Sequence, residues 1–186
     1  MKQRLKSQKG LTLVELMISM AVSMILLGAC AGLLVYGFNL YNKANDYNQA
    51  HVLGLLTQQK IESEVKYAAS MKIDASQPGS LANGNYCLAL TGSGRLAKYT
   101  GTASAMTSNY VYLDGVYRGY VCSITFKAST GSTLNVEVTV SKGGETITDT
   151  TTDIILNNMG KNIPSGQDIN ATVTQGNAIE FTLPSA

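Results

Sequence analysis

An unbroken run of 23 uncharged residues, Leu16 to Phe38, constrains this 186-residue chain more than any other feature. Coiled as an α-helix it would rise about 35 Å, against a bilayer hydrocarbon core of about 30 Å. Such a run reads as a membrane-spanning helix. Lys2, Arg4, Lys6 and Lys9 precede it, whereas Lys43 and Asp46 nearly cancel on its far side. This asymmetry predicts a cytoplasmic N-terminus and an exported remainder. The same four cations account for the net charge of +2: the other ten basic residues face 12 acidic ones, which leaves the body of the chain at −2. A weakly acidic body lacks the clustered Lys and Arg of a broad nucleic-acid-binding face. The length accommodates one compact domain beside the helix.

A single carboxylate, Glu15, breaks the apolar character of "KGLTLVELMISMAVSMILLG", residues 9–28. A secretory signal places its small-residue cleavage site after the apolar core. Here the candidate break, Gly10, stands in front of it. Cutting between Gly10 and Leu11 would remove the basic leader and keep the helix, with a new amino group four residues from Glu15. Glu15 would then lie in the first helical turn, where the macrodipole favours negative charge, and near the membrane boundary, where burial costs less than at the centre. In staggered, side-by-side helices the amino group of one copy can reach the Glu15 carboxylate of the next. Leaving either charge unpaired costs several kcal/mol, so the pair would fix the register.

Basic leader, Gly10, "LTLVE" and a long apolar helix together resemble the class III signal of type IV prepilins and of the pseudopilins of type II secretion and competence systems. The resemblance covers residues 2–38 and implies that a membrane aspartate peptidase cleaves after Gly10 and methylates the new amino group of Leu11. It implies assembly through Glu15 and the helix. Its implied partners are other pilin or pseudopilin subunits, the prepilin peptidase, a pilus assembly platform and, before assembly, the inner membrane; it implies no cofactor. Two positions depart from the family pattern: Leu11 stands where phenylalanine is commonest, and Gly32 where many major pilins carry proline. The missing proline and the long β region favour a minor subunit. Gly28 and Gly32 make a small-xxx-small step that serves either helix contact or local flexibility. The plain alternative is a signal-anchored surface binder that does not polymerise, with Glu15 in the headgroup region.

Beyond the membrane the helical pattern continues, with Leu53, Leu56, Ile61, Val65 and Ala68 at helical spacing and no proline before Pro78. The helix is expected to run to about Lys72, with Gly54 as a weak point, until "SQPGSLANGN" (76–85) stops it. Period-two, β-branched segments follow: "YCLAL", "YVYL", "VYRGYVCSITF", "TLNVEVTV", "ETITDTTTDIIL" and "AIEFTL". Asp114–Gly115, Gly143–Gly144 and "STGS" (129–132) read as hairpin turns. The fold class is therefore α+β and pilin-like: a long N-terminal helix, membrane-spanning then amphipathic, packed on an antiparallel sheet. The expected divisions are leader 1–10, apolar helix 11–38, its amphipathic continuation 39–75 and a β-rich head 76–186, with 157–177 as a surface loop.

Cys30 reads as a small apolar side chain in the membrane segment. Cys87 and Cys122 lie on strand candidates in a compartment that permits disulfides, and either bridge or stay single. The one histidine, His51, has no metal-ligand or triad spacing around it, and no phosphate loop or dinucleotide fingerprint occurs, so neither a metal nor an enzyme is expected. Six tyrosines, at 86, 99, 110, 112, 117 and 120, make either a binding face or ordinary sheet packing. "NAT" at 170–172 matches a glycan acceptor sequon.

Overall fold

A computed structural model describes residues 12–82, 84–102, 105–112, 114–129, 132–159, 170–171 and 175–184. The leader, Gly10 and Leu11 lie outside the described residues, as do part of the 157–177 segment and the threonine of the sequon. Helix α1 runs Leu13–Val65 without a break. It passes through the boundary of two compact units, the residues up to Asn45 and those from Asp46 onward.

In the first unit every described residue from 12 to 45 is exposed, including the apolar side chains of Leu13 to Tyr41. Both serines within this stretch are satisfied inside the helix: Ser19 Oγ donates to Leu16 O at 2.8 Å and Ser23 Oγ to Ser19 O at 2.7 Å. A helix that is apolar all round, with its hydroxyls turned onto its own carbonyls, suits a hydrocarbon surrounding.

In the second unit α1 becomes one-sided. Ala50, Leu53, Gly54, Thr57, Gln58, Ile61 and Val65 are buried, at steps of three and four residues. Leu56 is only half-buried. The helix stops at Val65, short of the expected end near Lys72, because the next residues pair as a strand. Strand β1, Ser70–Asp74, buries Met71 and Ile73 alternately, and its antiparallel pairing with β10, Ala178–Thr182, overrides local helix propensity.

The remaining strands are β2 (Tyr86–Leu90), β3 (Leu96–Thr102), β4 (Ala105–Val111), β5 (Tyr120–Ala128), β6 (Thr133–Lys142), β7 (Glu145–Ile155), β8 (Asn170–Ala171) and β9 (Gln175–Gly176). Among the described residues they form two sheets. One has the order β4-β3-β2-β10-β1-β8 and the other β7-β6-β5-β9, and all pairs are antiparallel except β1 with β8. The main core gathers the buried stripe of α1, the inner faces of both sheets and Tyr112, Tyr117 and Tyr120. A smaller cluster, Leu81, Cys87, Ala89, Ala97, Tyr99 and Ala178, covers the opposite face of the six-stranded sheet.

Gly143 and Gly144, both at positive φ, turn β6 into β7 as the sequence suggests. Strands β5 and β6 are antiparallel neighbours across 129–132, of which Thr130 and Gly131 lie outside the described residues. Asp114–Gly115 is not a hairpin. It begins a short 3-10 turn, Asp114–Val116, on a crossover from β4 in one sheet to β5 in the other. The chain then reverses at Arg118 (φ 43°) and Gly119 (φ 86°), so the strand expected from Val116 begins at Tyr120.

Gly54 and Gly176 stand where a neighbouring element leaves no room for a Cβ. Gly54 is not a weak point but a contact point: a Cβ there would lie 2.9 Å from Thr150 Oγ1 on β7. At Gly176 a Cβ would collide with the carbonyl of Asp74, so β9 passes directly against the end of β1. Gly176→Ala is therefore expected to destabilise the head by about 1–3 kcal/mol, seen as a lower urea midpoint of the full chain in detergent. Gly79→Ala, where the added Cβ meets open space, should leave that midpoint unchanged.

Candidate assembly site and its anchors

The start of α1 is built from Thr12 and Glu15. The Glu15 N–H donates to Thr12 Oγ1 at 3.3 Å and the Leu16 N–H to Thr12 O at 3.1 Å, which makes Thr12 the N-cap and Glu15 the third helical residue. Thr-x-x-Glu is the capping-box spacing, a signal present in the sequence at 12–15 but not used in reading it. Glu15 is exposed, and among the described residues its carboxylate holds no hydrogen bond or ion pair. It stands on a bare apolar surface, flanked by Leu13, Val14, Leu16 and Met17, each at least half exposed. Gly28 and Gly32 have nothing within 4 Å of a would-be Cβ, so both leave a flat, open strip on the helix.

Where α1 enters the head, Asp46 is the first anchor. Its Oδ1 accepts from Lys142 Nζ at 2.7 Å and from the Tyr120 hydroxyl at 2.9 Å, and Lys142 lies 5.0 Å from the centre of the Tyr120 ring. The hydrogen bond from Lys142, then that from Tyr120, holds the Asp46 carboxyl below the usual carboxylate range. About five turns further on, Glu64 meets Lys98 at 2.7 Å and Lys60 at 3.5 Å. Burial pushes the Glu64 carboxyl up, but the hydrogen bonds from Lys98 and Tyr112 outweigh it and bring it below its ordinary value. Lys98 also lies 4.3 Å from the centre of the Tyr86 ring. Lys60 is one turn away on the same helix, whereas Lys98, Tyr120 and Lys142 come from 34 to 96 residues away in sequence, so no local pattern could have announced them.

Cys87 and Cys122 do not bridge; both are free thiols. Alternation along β2 sends Leu88 to the main core and Cys87 to the cluster on the other face, whereas Cys122 faces the main core from β5. The sheet itself stands between the two sulfurs. Burial, reinforced by the nearby Glu180 and Asp74 carboxylates, pushes the Cys87 thiol up to about 12. Burial likewise raises Cys122 to about 11, against a lowering contribution from the Thr57 hydroxyl. Cys30 is exposed on the apolar helix.

Tyr99, Tyr112, Tyr117 and Tyr120 are buried and Tyr86 is half-buried, so these rings pack the head instead of presenting a tyrosine face; the Tyr110 side chain is outside the described residues. Tyr117 reaches across the core to accept the Leu96 N–H at 2.8 Å. His51 stacks on Tyr47 with centroids 6.1 Å apart, one helical turn away, and its buried Nδ1 has no hydrogen-bond partner. Among the described residues no three His, Cys, Asp or Glu side chains converge as a metal site.

Two outcomes follow from these environments. At about pH 8, native protein should leave Cys87 and Cys122 unalkylated while denatured protein exposes both, and intact mass should be the same before and after reduction. For Asp46, a carboxyl depressed in the folded state stabilises the fold above the ordinary carboxylate range, and this contribution disappears as pH falls through the depressed value. Asp46→Asn should accordingly lower the melting temperature near neutral pH and lessen its further fall as pH drops below the ordinary carboxylate range, followed by circular dichroism.

Comparison with protein-family models places a prokaryotic N-terminal methylation motif on residues 5–31. No curated protein and no solved structure gave a match. The matched residues contain the cap at Thr12, Glu15, Gly28 and most of the bare apolar helix, and they stop one residue short of Gly32. Together they form a type IV prepilin-like N-terminal signal, carried on an α+β fold of the kind pilins have.

Proposed function

We propose that the chain is a structural subunit of a type IV pilus or of a related pseudopilus, cleaved after Gly10, methylated on Leu11 and assembled through its N-terminal helix. The motif on residues 5–31 carries this reading, because the class of signal it describes serves processing and packing of the segment that bears it. Glu15 is the register-setting residue: an unpaired carboxylate on an apolar surface gains most from the amino group of Leu11 in a neighbouring copy. Gly28 and Gly32 let neighbouring helices approach closely.

The partners on this reading are other pilin or pseudopilin subunits, a prepilin peptidase and an assembly platform in the cytoplasmic membrane. The N-terminus faces the cytoplasm, the head faces away from it, and the filament carries the head to the cell surface. The glycine at position 32 in place of proline favours a minor subunit. A scaffold role fits a chain whose lysine–carboxylate pairs join the helix to the strands.

N-terminal sequencing and intact mass of protein from sheared filaments test this directly, with a chain beginning at N-methylated Leu11 as the expected result. Protein still beginning at Met1 in cells with an active prepilin peptidase would refute processing. Glu15→Val should be cleaved normally yet fall at least about tenfold in filament incorporation, since losing 1.4 kcal/mol is already a factor of ten and a desolvated pair is worth more.

A further inference from the structure

Strand β10 occupies the middle of the six-stranded sheet, between β2 and β1, although it comes from residues 178–182. Its register runs Ser70↔Thr182 to Asp74↔Ala178 on one side and Ala178↔Ala89 to Phe181↔Tyr86 on the other. Among the described pairings no other strand joins β1 to β2, so without β10 the sheet divides into β1 with β8 and β2 with β3 and β4. Both faces depend on it as well. Ile179 and Phe181 are buried in the main core, while Ala178 completes the outer cluster that covers Cys87. The closing contacts are also distant in sequence: Ser70 and Thr182, whose hydroxyls meet at 2.7 Å, are 112 residues apart.

The other sheet is assembled differently. Strands β5, β6 and β7 follow one another as antiparallel neighbours joined by short reversals, and α1 docks on them through Gly54 beside Thr150 and Gln58 on Val136 O. Local pairings form at a lower loop-closure cost than distant ones.

We infer that β10 is a lock strand: α1 with β5–β7 forms a subdomain that stands before β10 inserts, and insertion of residues 178–182 closes the six-stranded sheet as a separate, later and more easily reversed step. The head therefore opens by releasing β10, and Cys87 is uncovered in that opening while Cys122 remains enclosed. Cys87 and Cys122 are built-in reporters for the two parts, since Cys87 pairs directly with Glu180 of β10 and Cys122 pairs with Val140 of β6.

The test uses the full chain in detergent, with Cys30→Ala to silence the exposed thiol. Glu180→Pro removes a backbone donor at the centre of β10 and leaves the buried side chains of that strand in place; Glu180→Gln keeps the backbone and serves as control. The expected result is alkylation of Cys87 accelerated about tenfold or more in Glu180→Pro over Glu180→Gln, which loses the same carboxylate beside the thiol, with Cys122 still protected in both. Native-state hydrogen exchange on the unmodified sequence in low urea should show β1, β2 and β10 amides opening together ahead of those of β5 and β6. Simultaneous exposure of both thiols in Glu180→Pro, or a single common opening of all strands by hydrogen exchange, would overturn the inference. So would a Cys87 that stays protected in Glu180→Pro.

Discussion

The main core of the head closes on one face of one helix. The stripe Ala50, Leu53, Gly54, Thr57, Gln58, Ile61 and Val65 is the surface on which the four-stranded sheet rests, at Gly54 and Gln58. The larger sheet ties to the same helix through Glu64, which Lys98 of β3 reaches. Fully buried Leu53, Ile61 and Val65 contribute about 1.5–3 kcal/mol each by leaving water, so a polar substitution at any of them would loosen the joint. The stripe begins only after Asp46. Before that residue α1 has no buried side chain, and its apolar surface is left for lipid or for other helices.

The carboxylates divide along the same line. Asp46, Glu64, Asp74 and Glu137 each hold a lysine at 2.7–2.8 Å within the head. Glu15 has no such partner among the described residues, although it stands in the most apolar part of the chain. Thr12 caps the helix at the same place and so fixes the first turn from which the Glu15 side chain extends.

The apolar helix and the β-rich head were legible because each carries a strong period: uninterrupted apolarity to Phe38, and clean alternation in "TLNVEVTV" ending at two glycines that demand a turn. Strands β1 and β3 were not legible. "SMKID" continues an alanine-containing helical pattern, and only its partner more than a hundred residues later makes it a strand. "LAKYTGT" buries Leu96 on one face and Ala97 on the other, so it shows no alternation to read. The cysteine question turned on the same geometry, since one residue of register in β2 decides which side of a sheet a sulfur occupies. At the functional end, Gly10, Leu11 and Glu15 were legible as a motif, whereas the Asp46–Lys142–Tyr120 cluster joins residues that nothing in the sequence links.

The position of β10 has a consequence for the order in which this protein comes into being. Synthesis runs from α1 toward β10, so α1 and the β5–β7 meander are complete while the central place in the larger sheet is still vacant. Throughout that interval β1 and β2 each present an unpaired edge to whatever surrounds the nascent chain. The hazard of premature strand pairing ends only when Ala178–Thr182 has been made.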